Sequence, residues 1–133
     1  MKKVNWGIIG LGKIALQFAN GFKFTNNAKL IGVASKNPEK LEKFKKGFQI
    51  NEKYCFNNYE DLLSSKEIDI IYIALPNSLH CEWIIKCIES NKKILVEKPA
   101  TLNFDEIISI KNKYDIKNIF FAEGFMYRYH PQI

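Results

Sequence analysis

Arginine, cysteine and long apolar runs are all scarce in this sequence of 133 residues. Arg128 is the only arginine among 20 lysines and arginines, so the net charge of +6 comes almost wholly from lysines. Nucleic-acid binding usually needs arginines and a concentrated basic face, so this composition argues against it. Three cysteines, an odd number without a Cys-x-x-Cys pair, argue against a disulfide framework and favour the cytoplasm. The longest apolar stretch, residues 68–75, contains Asp69 and is too short to cross a membrane. We expect neither a nucleic-acid nor a membrane partner.

Strand-like and helix-like segments alternate along the whole chain. Short apolar or β-branched runs predict strands at residues 4–9, 28–34, 54–56, 70–75, 93–96 and 119–122. A helical pattern follows each of the first five, and capping residues predict helix starts at Asn37, Asn58, Ser78 and Asn103. This order favours one α/β domain: a doubly wound, mostly parallel sheet with helices on both faces, in three layers.

The first predicted strand runs directly into a Gly-x-Gly-x-x-Ala motif at residues 10–15. Gly10 permits a tight turn, and Gly12 has no side chain to keep a pyrophosphate away from the backbone. Ala15 allows the following helix to pack close to the strand, and the N–H groups at the start of that helix attract phosphate. The motif therefore predicts dinucleotide binding, with a purely structural glycine turn as the alternative.

The end of the second predicted strand indicates which dinucleotide is bound. NAD-binding sites usually carry an acidic residue about 20 residues beyond the glycines, where it holds the ribose 2′-hydroxyl. This chain has Ser35 and Lys36 there, which can donate a hydrogen bond to a 2′-phosphate and pair with its charge. The sequence favours NADP, with NAD as the alternative; Lys36 as one more surface lysine is the other interpretation.

Two further loops are predicted to reach the same edge of the sheet. Residues 74–80 follow the fourth strand, and His80 is a candidate contact to the nicotinamide ribose or the substrate, or else a packed or solvent-facing side chain. Glu97-Lys98-Pro99 follows the fifth strand, where Lys98 could support a carbonyl or alkoxide oxygen during hydride transfer. A structural turn is the alternative for this triplet.

Five segments in this order resemble the Gfo/Idh/MocA oxidoreductases, and within them the dihydrodiol dehydrogenase and D-xylose dehydrogenase-like branch. The segments are residues 6–15, 34–40, 72–80, 97–99 and 123–132. The resemblance implies a Rossmann domain that uses NADP without a metal, with Lys98 as the catalytic residue and Tyr127 and Arg128 near the substrate. The implied cofactor-binding residues are Gly10, Leu11, Gly12, Lys13, Ile14, Ser35, Lys36, Leu75, Asn77, His80, Glu97 and Lys98. Lys36 replaces a more usual arginine, which keeps the charge but loses bidentate geometry.

The resemblance also divides the chain. Residues 1–122 are expected to form the dinucleotide-binding domain, and residues 123–133 to begin a second α+β domain that is otherwise absent. In the family that domain supplies the substrate pocket and the oligomer interface. We expect an NADP-dependent oxidoreductase of a sugar-like or cyclic-diol alcohol and its carbonyl, inactive as this chain alone and a homo-oligomer at full length. The alternative is a stand-alone nucleotide-binding or scaffold module.

Aromatic residues are concentrated near the end of the sequence, beyond what one exposed strand needs. These aromatic residues indicate an interface that the second domain would cover. The alternative is that they complete the core of the small domain itself. The cluster comprises Phe120, Phe121, Phe125, Met126, Tyr127 and Tyr129.

Overall fold

The structure is a computed structural model, and it describes residues 2–131 apart from the side chain of Tyr127. Six parallel strands form one sheet in the order β3-β2-β1-β4-β5-β6. The strands are β1 (Val4–Ile9), β2 (Ala28–Ala34), β3 (Cys55–Phe56), β4 (Ile70–Ile73), β5 (Lys93–Val96) and β6 (Phe121–Glu123). The strand order reverses between β1 and β4, and in such sheets ligands bind at the carboxyl ends of the strands beside that point.

Within residues 2–131, five helices cover the two faces of the sheet and complete the three predicted layers. They are α1 (Lys13–Gly21), α2 (Pro38–Phe48), α3 (Tyr59–Ser64), α4 (His80–Glu89) and α5 (Phe104–Lys113). Buried residues of α1 and α2 share one apolar cluster with Ile8 and Tyr72, whereas those of α3, α4 and α5 share the other with Ile9 and Ile71. Every residue of β4 is buried, as expected for a central strand covered on both sides. The predicted doubly wound α/β fold is confirmed.

Three of the four predicted helix caps are confirmed. The side-chain oxygen of Asn37 accepts hydrogen bonds from the N–H groups of Glu39 and Lys40, at 3.0 and 3.1 Å. Asn58 and Asn103 cap α3 and α5 in the same way. The prediction for Ser78 is wrong, because residues 77–79 form a 3-10 turn and α4 begins at His80 without a side-chain cap.

The last strand differs from its prediction. It begins at Phe121 and includes Glu123, so β6 crosses the predicted domain boundary at residue 122. A 3-10 turn over Met126–Tyr129 follows, and Gln132, predicted to belong to the second domain, lies outside the described residues. No helix among residues 2–131 is both long and apolar enough to cross a membrane.

The aromatic residues near the end of the chain are divided between core and surface. Phe121 packs partly buried against the core, but Phe120 is 56% and Tyr129 75% exposed. Met126 is also exposed. Completion of the core therefore describes Phe121, and the expected interface stays a prediction for the exposed members.

Candidate functional site

The turn after β1 is built on a glycine that no other residue could replace without strain. Gly10 has a φ of +87°, in the left-handed region that side chains rarely adopt. A Cβ atom on Gly10 would lie 2.7 Å from the carbonyl oxygen of Ala74 and 2.9 Å from the side chain of Leu75. The absence of a side chain therefore lets this turn close against the chain that leaves β4.

The next glycine of the motif faces open space instead. A Cβ atom on Gly12 would have no other atom within 4 Å. Gly12 precedes α1, whose start has no side-chain cap and no acidic residue in the first turn. The first helical hydrogen bond is donated by Leu16 to Gly12, so the N–H groups just before Leu16 have no helical acceptor. An uncapped helix start beside open space suits the phosphates of a dinucleotide.

A cavity of about 430 Å³ lies beside this turn. Its lining residues come from the ends of β1, β2 and β4 and from the starts of α2 and α3. They are Gly10, Leu11, Gly12, Ser35, Lys36, Asn37, Lys40, Tyr59, Ala74, Leu75 and Pro76. This set of described residues contains two lysines and no carboxylate, which favours an anionic occupant.

Ser35 and Lys36, which directly follow β2, line this cavity together with Tyr59. The buried Ser35 hydroxyl accepts a hydrogen bond from the N–H of Asn37 at 3.1 Å and keeps its own proton for another acceptor. The Lys36 ammonium lies 5.5 Å from the centre of the Tyr59 ring. Burial raises the pKa of the Tyr59 hydroxyl, so that hydroxyl remains a neutral donor.

The turn after β4 contains Leu75 and Asn77, and His80 begins α4 directly after it. Leu75 is buried and Asn77 is exposed. His80 is 0% exposed, and its ring lies between two backbone carbonyl oxygens, that of Pro99 at 2.7 Å from Nδ1 and that of Leu75 at 2.8 Å from Nε2. The packed alternative therefore describes the His80 ring, and the expectation that it contacts cofactor or substrate directly is corrected.

Glu97 and Lys98 follow β5, and a tyrosine on the neighbouring strand holds the first of them. The Tyr72 hydroxyl donates to Glu97 Oε1 at 2.5 Å, and the N–H of Lys98 donates to Oε2 at 3.3 Å. Burial, followed by the hydrogen bond to Glu97 and then by the charge of that carboxylate, raises the pKa of Tyr72 and keeps its hydroxyl a donor. A Cβ atom on Gly124 would lie 3.0 Å from Oε1, so the carboxylate occupies the space that this glycine leaves.

Lys98 itself is exposed, and its ammonium lies 5.9 Å from the centre of the Phe125 ring. A second cavity, of about 260 Å³, is lined by Tyr72, Glu97 and Gly124 and reaches Ile14 at the start of α1. Arg128 is exposed in the last 3-10 turn, and the predicted substrate role of Tyr127 rests on a side chain outside the described part of the chain. The turn that precedes α1 therefore lines the first cavity, and residues of α1 itself, including Ile14, line the second.

The fold brings most of the predicted cofactor residues to one edge of the sheet. Three residues that sequence reasoning missed also belong there: Lys40, Tyr59 and Tyr72. Lys40 was recognisable in principle, because it lies in the first turn of α2, within one turn of the cap Asn37 and four residues after Lys36. Tyr59 and Tyr72 carry no local signal, since each reaches the site through contacts between distant parts of the sequence.

A glycine turn, an uncapped helix start and a cationic cavity at the switch point of a parallel sheet define a dinucleotide-binding domain. Residues 4–125 match the model of the oxidoreductase family with an NAD-binding Rossmann fold, GFO_IDH_MocA. The chain belongs to this family, as the sequence motifs predicted.

Relatives within the expected branch confirm that part of the prediction. The chain is 29% identical over 131 residues to trans-1,2-dihydrobenzene-1,2-diol dehydrogenase of Xenopus tropicalis, covering 95% of this chain and 38% of that enzyme. It is 35% identical over 77 residues to D-xylose 1-dehydrogenase (NADP(+)) 2 of Haloferax volcanii, covering 58% of this chain and 24% of that enzyme. The chain therefore spans well under half the length of these relatives.

The same architecture is present in a solved structure with its ligands. Scyllo-inositol dehydrogenase of Lactobacillus casei, with bound NAD(H) and scyllo-inositol, superposes with a TM-score of 0.88 at 27% identity. The match covers 98% of this chain and 38% of that one. A nicotinamide cofactor is thus supported for this fold, and the residues at the carboxyl edge of the sheet fit one.

Proposed function

We propose that this chain is the NADP-binding part of an oxidoreductase that interconverts a sugar-like or cyclic-diol alcohol and its carbonyl. The observation that carries the choice of cofactor is the 430 Å³ cavity, whose described lining includes Lys36 and Lys40 but no carboxylate. An acid at the end of β2 would repel a 2′-phosphate, whereas two ammonium groups attract it. The substrate class follows the named relatives, which act on a dihydrodiol, D-xylose and scyllo-inositol.

Each group of predicted residues has a part in binding the cofactor. The turn of Gly10, Leu11 and Gly12, with the N–H groups of Lys13 and Ile14, would hold the pyrophosphate. Ser35, Lys36 and Lys40 would hold the 2′-phosphate. Leu75 and Asn77 would lie against the cofactor from the β4 side, and Glu97 and Lys98 would lie beside the nicotinamide.

Lys98 is the proposed catalytic residue. The hydride exchanged at the substrate carbon would be supplied or accepted by a bound nicotinamide ring. The exposed Lys98 ammonium can donate a hydrogen bond to the substrate oxygen and stabilise its negative charge as the carbonyl and alcohol interconvert. We propose that the hydroxyl proton is exchanged with an acid/base group of the expected second domain, and that Arg128 and Tyr127 lie near the substrate. The complete enzyme is proposed to be cytoplasmic and a homo-oligomer.

The cofactor assignment is tested by calorimetric titration of the chain with NADPH and NADH. We expect tighter binding of NADPH. Lys36→Ala should weaken NADPH binding roughly tenfold through the lost charge pair with the 2′-phosphate, and should leave NADH binding unchanged. Equal, millimolar-weak binding of both cofactors by the unaltered chain would contradict the proposal.

Lys43→Ala is the matched control for this substitution. Lys43 is an exposed lysine of α2, the helix that follows Lys36, and the described lining of the cavity does not include it. It removes the same charge, so it should change the affinities for NADPH and NADH equally and only slightly. A loss of NADPH affinity as large as that of Lys36→Ala would indicate a general effect of net charge.

A further inference from the structure

His80 is the most completely enclosed ionisable side chain at the carboxyl edge of the sheet, with 0% exposure. Both of its ring nitrogens lie at hydrogen-bond distance from an oxygen: Nδ1 is 2.7 Å from Pro99 O and Nε2 is 2.8 Å from Leu75 O. Both partners are backbone carbonyls, which accept hydrogen bonds and cannot donate them. Two hydrogen bonds therefore require two ring N–H groups.

A neutral imidazole has only one N–H, and either tautomer would leave a nitrogen lone pair facing a carbonyl oxygen. That contact would be repulsive at 2.7 or 2.8 Å, in a place where water cannot relieve it. The imidazolium form has two N–H groups and satisfies both oxygens with charge-assisted bonds. The positive end of α4 disfavours a cation at its first residue, so the two carbonyls must supply the stabilisation.

We propose that His80 is an imidazolium cation that acts as a positioning residue, joining the turn after β4 to the turn after β5. The carbonyl of Leu75 directly precedes Pro76 and Asn77, and the carbonyl of Pro99 belongs to the residue after Lys98. The strands that lead into these turns, β4 and β5, pair with each other, and the ring links the two turns beyond the ends of those strands. The consequence for cofactor binding rests on the proposed function, but the charge of the ring does not.

The charge is tested on the unaltered chain by ¹⁵N nuclear magnetic resonance at neutral pH. The sequence has two histidines, and His130→Gln assigns the signals of His80 by elimination. We expect both ring nitrogens of His80 to show the chemical shift and the directly bonded proton of a protonated nitrogen. A single protonated ring nitrogen would overturn the proposal.

The positioning role is tested with His80→Phe, which preserves a flat ring but removes both N–H groups. We expect circular dichroism of a folded chain, shifted amide resonances for Asn77 and Lys98, and about tenfold weaker NADPH binding. His80→Gln, which keeps an uncharged donor, should bind NADPH with intermediate affinity. His130→Gln, at an exposed position, is the control and should bind like the unaltered chain.

The outcomes separate this proposal from the proposed function. Unaltered NADPH affinity in folded His80→Phe would overturn the positioning role. If His80→Phe does not fold, wild-type affinity in His80→Gln would overturn it equally. If the unaltered chain itself fails to bind NADPH, the proposed function fails, while the nitrogen shifts and the amide shifts of Asn77 and Lys98 still decide whether a charged ring joins the two turns.

Discussion

The two ends of the same sheet use their polar groups in opposite ways. At the amino end, Lys92 is only 9% exposed and donates from Nζ to the carbonyls of Ser65 and Ile68, at 2.6 and 2.7 Å. Nearby, the N–H of Asn5 donates to the carboxylate of Asp69 at 2.8 Å. These hydrogen bonds connect the segments around α3, β1, β4 and β5. Because they pair polar groups within the protein, this end of the sheet contributes stability.

At the carboxyl end the polar groups are presented outward. Gly12 faces open space, and Asn77 and Lys98 are exposed. The half-buried Glu97 and the buried His80 there are held by hydrogen bonds with the surrounding strands and turns. The contrast teaches that one sheet can be closed at one end and prepared for a ligand at the other, and that substitutions at the two ends should affect different properties.

The largest expected effect comes from filling the open space at the carboxyl end with a methyl group. Gly12→Ala should weaken NADPH binding roughly a hundredfold, about 2.7 kcal/mol of binding free energy, because the methyl group would occupy the approach of the pyrophosphate. Its free energy of unfolding should not fall, since a Cβ atom there meets nothing within 4 Å and Gly12 has a φ of −90°. Calorimetry and urea denaturation measure the two quantities.

Gly21→Ala is the matched control, because a Cβ atom on Gly21 also meets nothing within 4 Å and this residue ends α1 far from the turn. It should leave NADPH binding unchanged. An equal loss of affinity in both variants would mean that the methyl group acts through α1 and not through the phosphate approach.

The next largest effect is expected at the amino end, and on stability alone. Lys92→Met removes both hydrogen bonds of the buried ammonium and leaves the carbonyls of Ser65 and Ile68 without this donor. The unfolding free energy should fall by about 2 kcal/mol, since each unsatisfied buried group costs about 1–3 kcal/mol and the burial of a charge is relieved. Urea denaturation measures the loss, and NADPH affinity should stay unchanged.

Lys93→Met tests whether the loss belongs to the buried ammonium. Lys93 is the neighbouring residue on β5 and is exposed, so its substitution should change the unfolding free energy by less than about 0.5 kcal/mol. A similar loss in the two variants would contradict the contrast between the sheet ends, as would weaker NADPH binding in Lys92→Met.

The parts of the fold with strong local signals could be predicted from the sequence. The bounds of β1, β2 and β5 match their predictions because each is a short apolar run with clear ends. Asn37 and Pro38 mark the start of α2 because a capping side chain and a proline need no distant partner. Ser78 failed because the 3-10 turn after Pro76 delays the helix until His80.

The carboxyl-end site could be predicted only where one segment builds it alone. The glycine turn is such a segment, so Gly10 and Gly12 were recognisable from spacing. The burial of His80 depends on the carbonyl of Pro99, 19 residues away, and the place of Tyr72 depends on Glu97, 25 residues away. No local pattern encodes such pairs, because strand order decides which residues meet.

The smallest expected effect is a pH dependence of stability that arises from Lys92 at the amino end of the sheet. Burial lowers the pKa of Lys92 below its ordinary value of 10.5, so the folded chain holds this proton less tightly than the unfolded chain. Between the lowered pKa and 10.5 the unfolded state binds more protons, and stability from this group therefore rises with pH. Neutral Lys92 retains two N–H bonds, enough for its two carbonyl partners.

Subtracting the Lys92→Met curve isolates this contribution. Other lysines, such as the half-buried Lys86, have a raised pKa, and their contribution to stability falls as the pH rises in both proteins alike. The difference in unfolding free energy between the unaltered chain and Lys92→Met should widen as the pH increases toward 10.5 and then stay constant. Urea denaturation at a series of alkaline pH values measures it. A difference that narrows instead would show that the carbonyls of Ser65 and Ile68 stabilise the ammonium more than burial disfavours it. Two backbone acceptors would then stabilise a buried cation at the amino end of the sheet, as we propose for His80 at the carboxyl end.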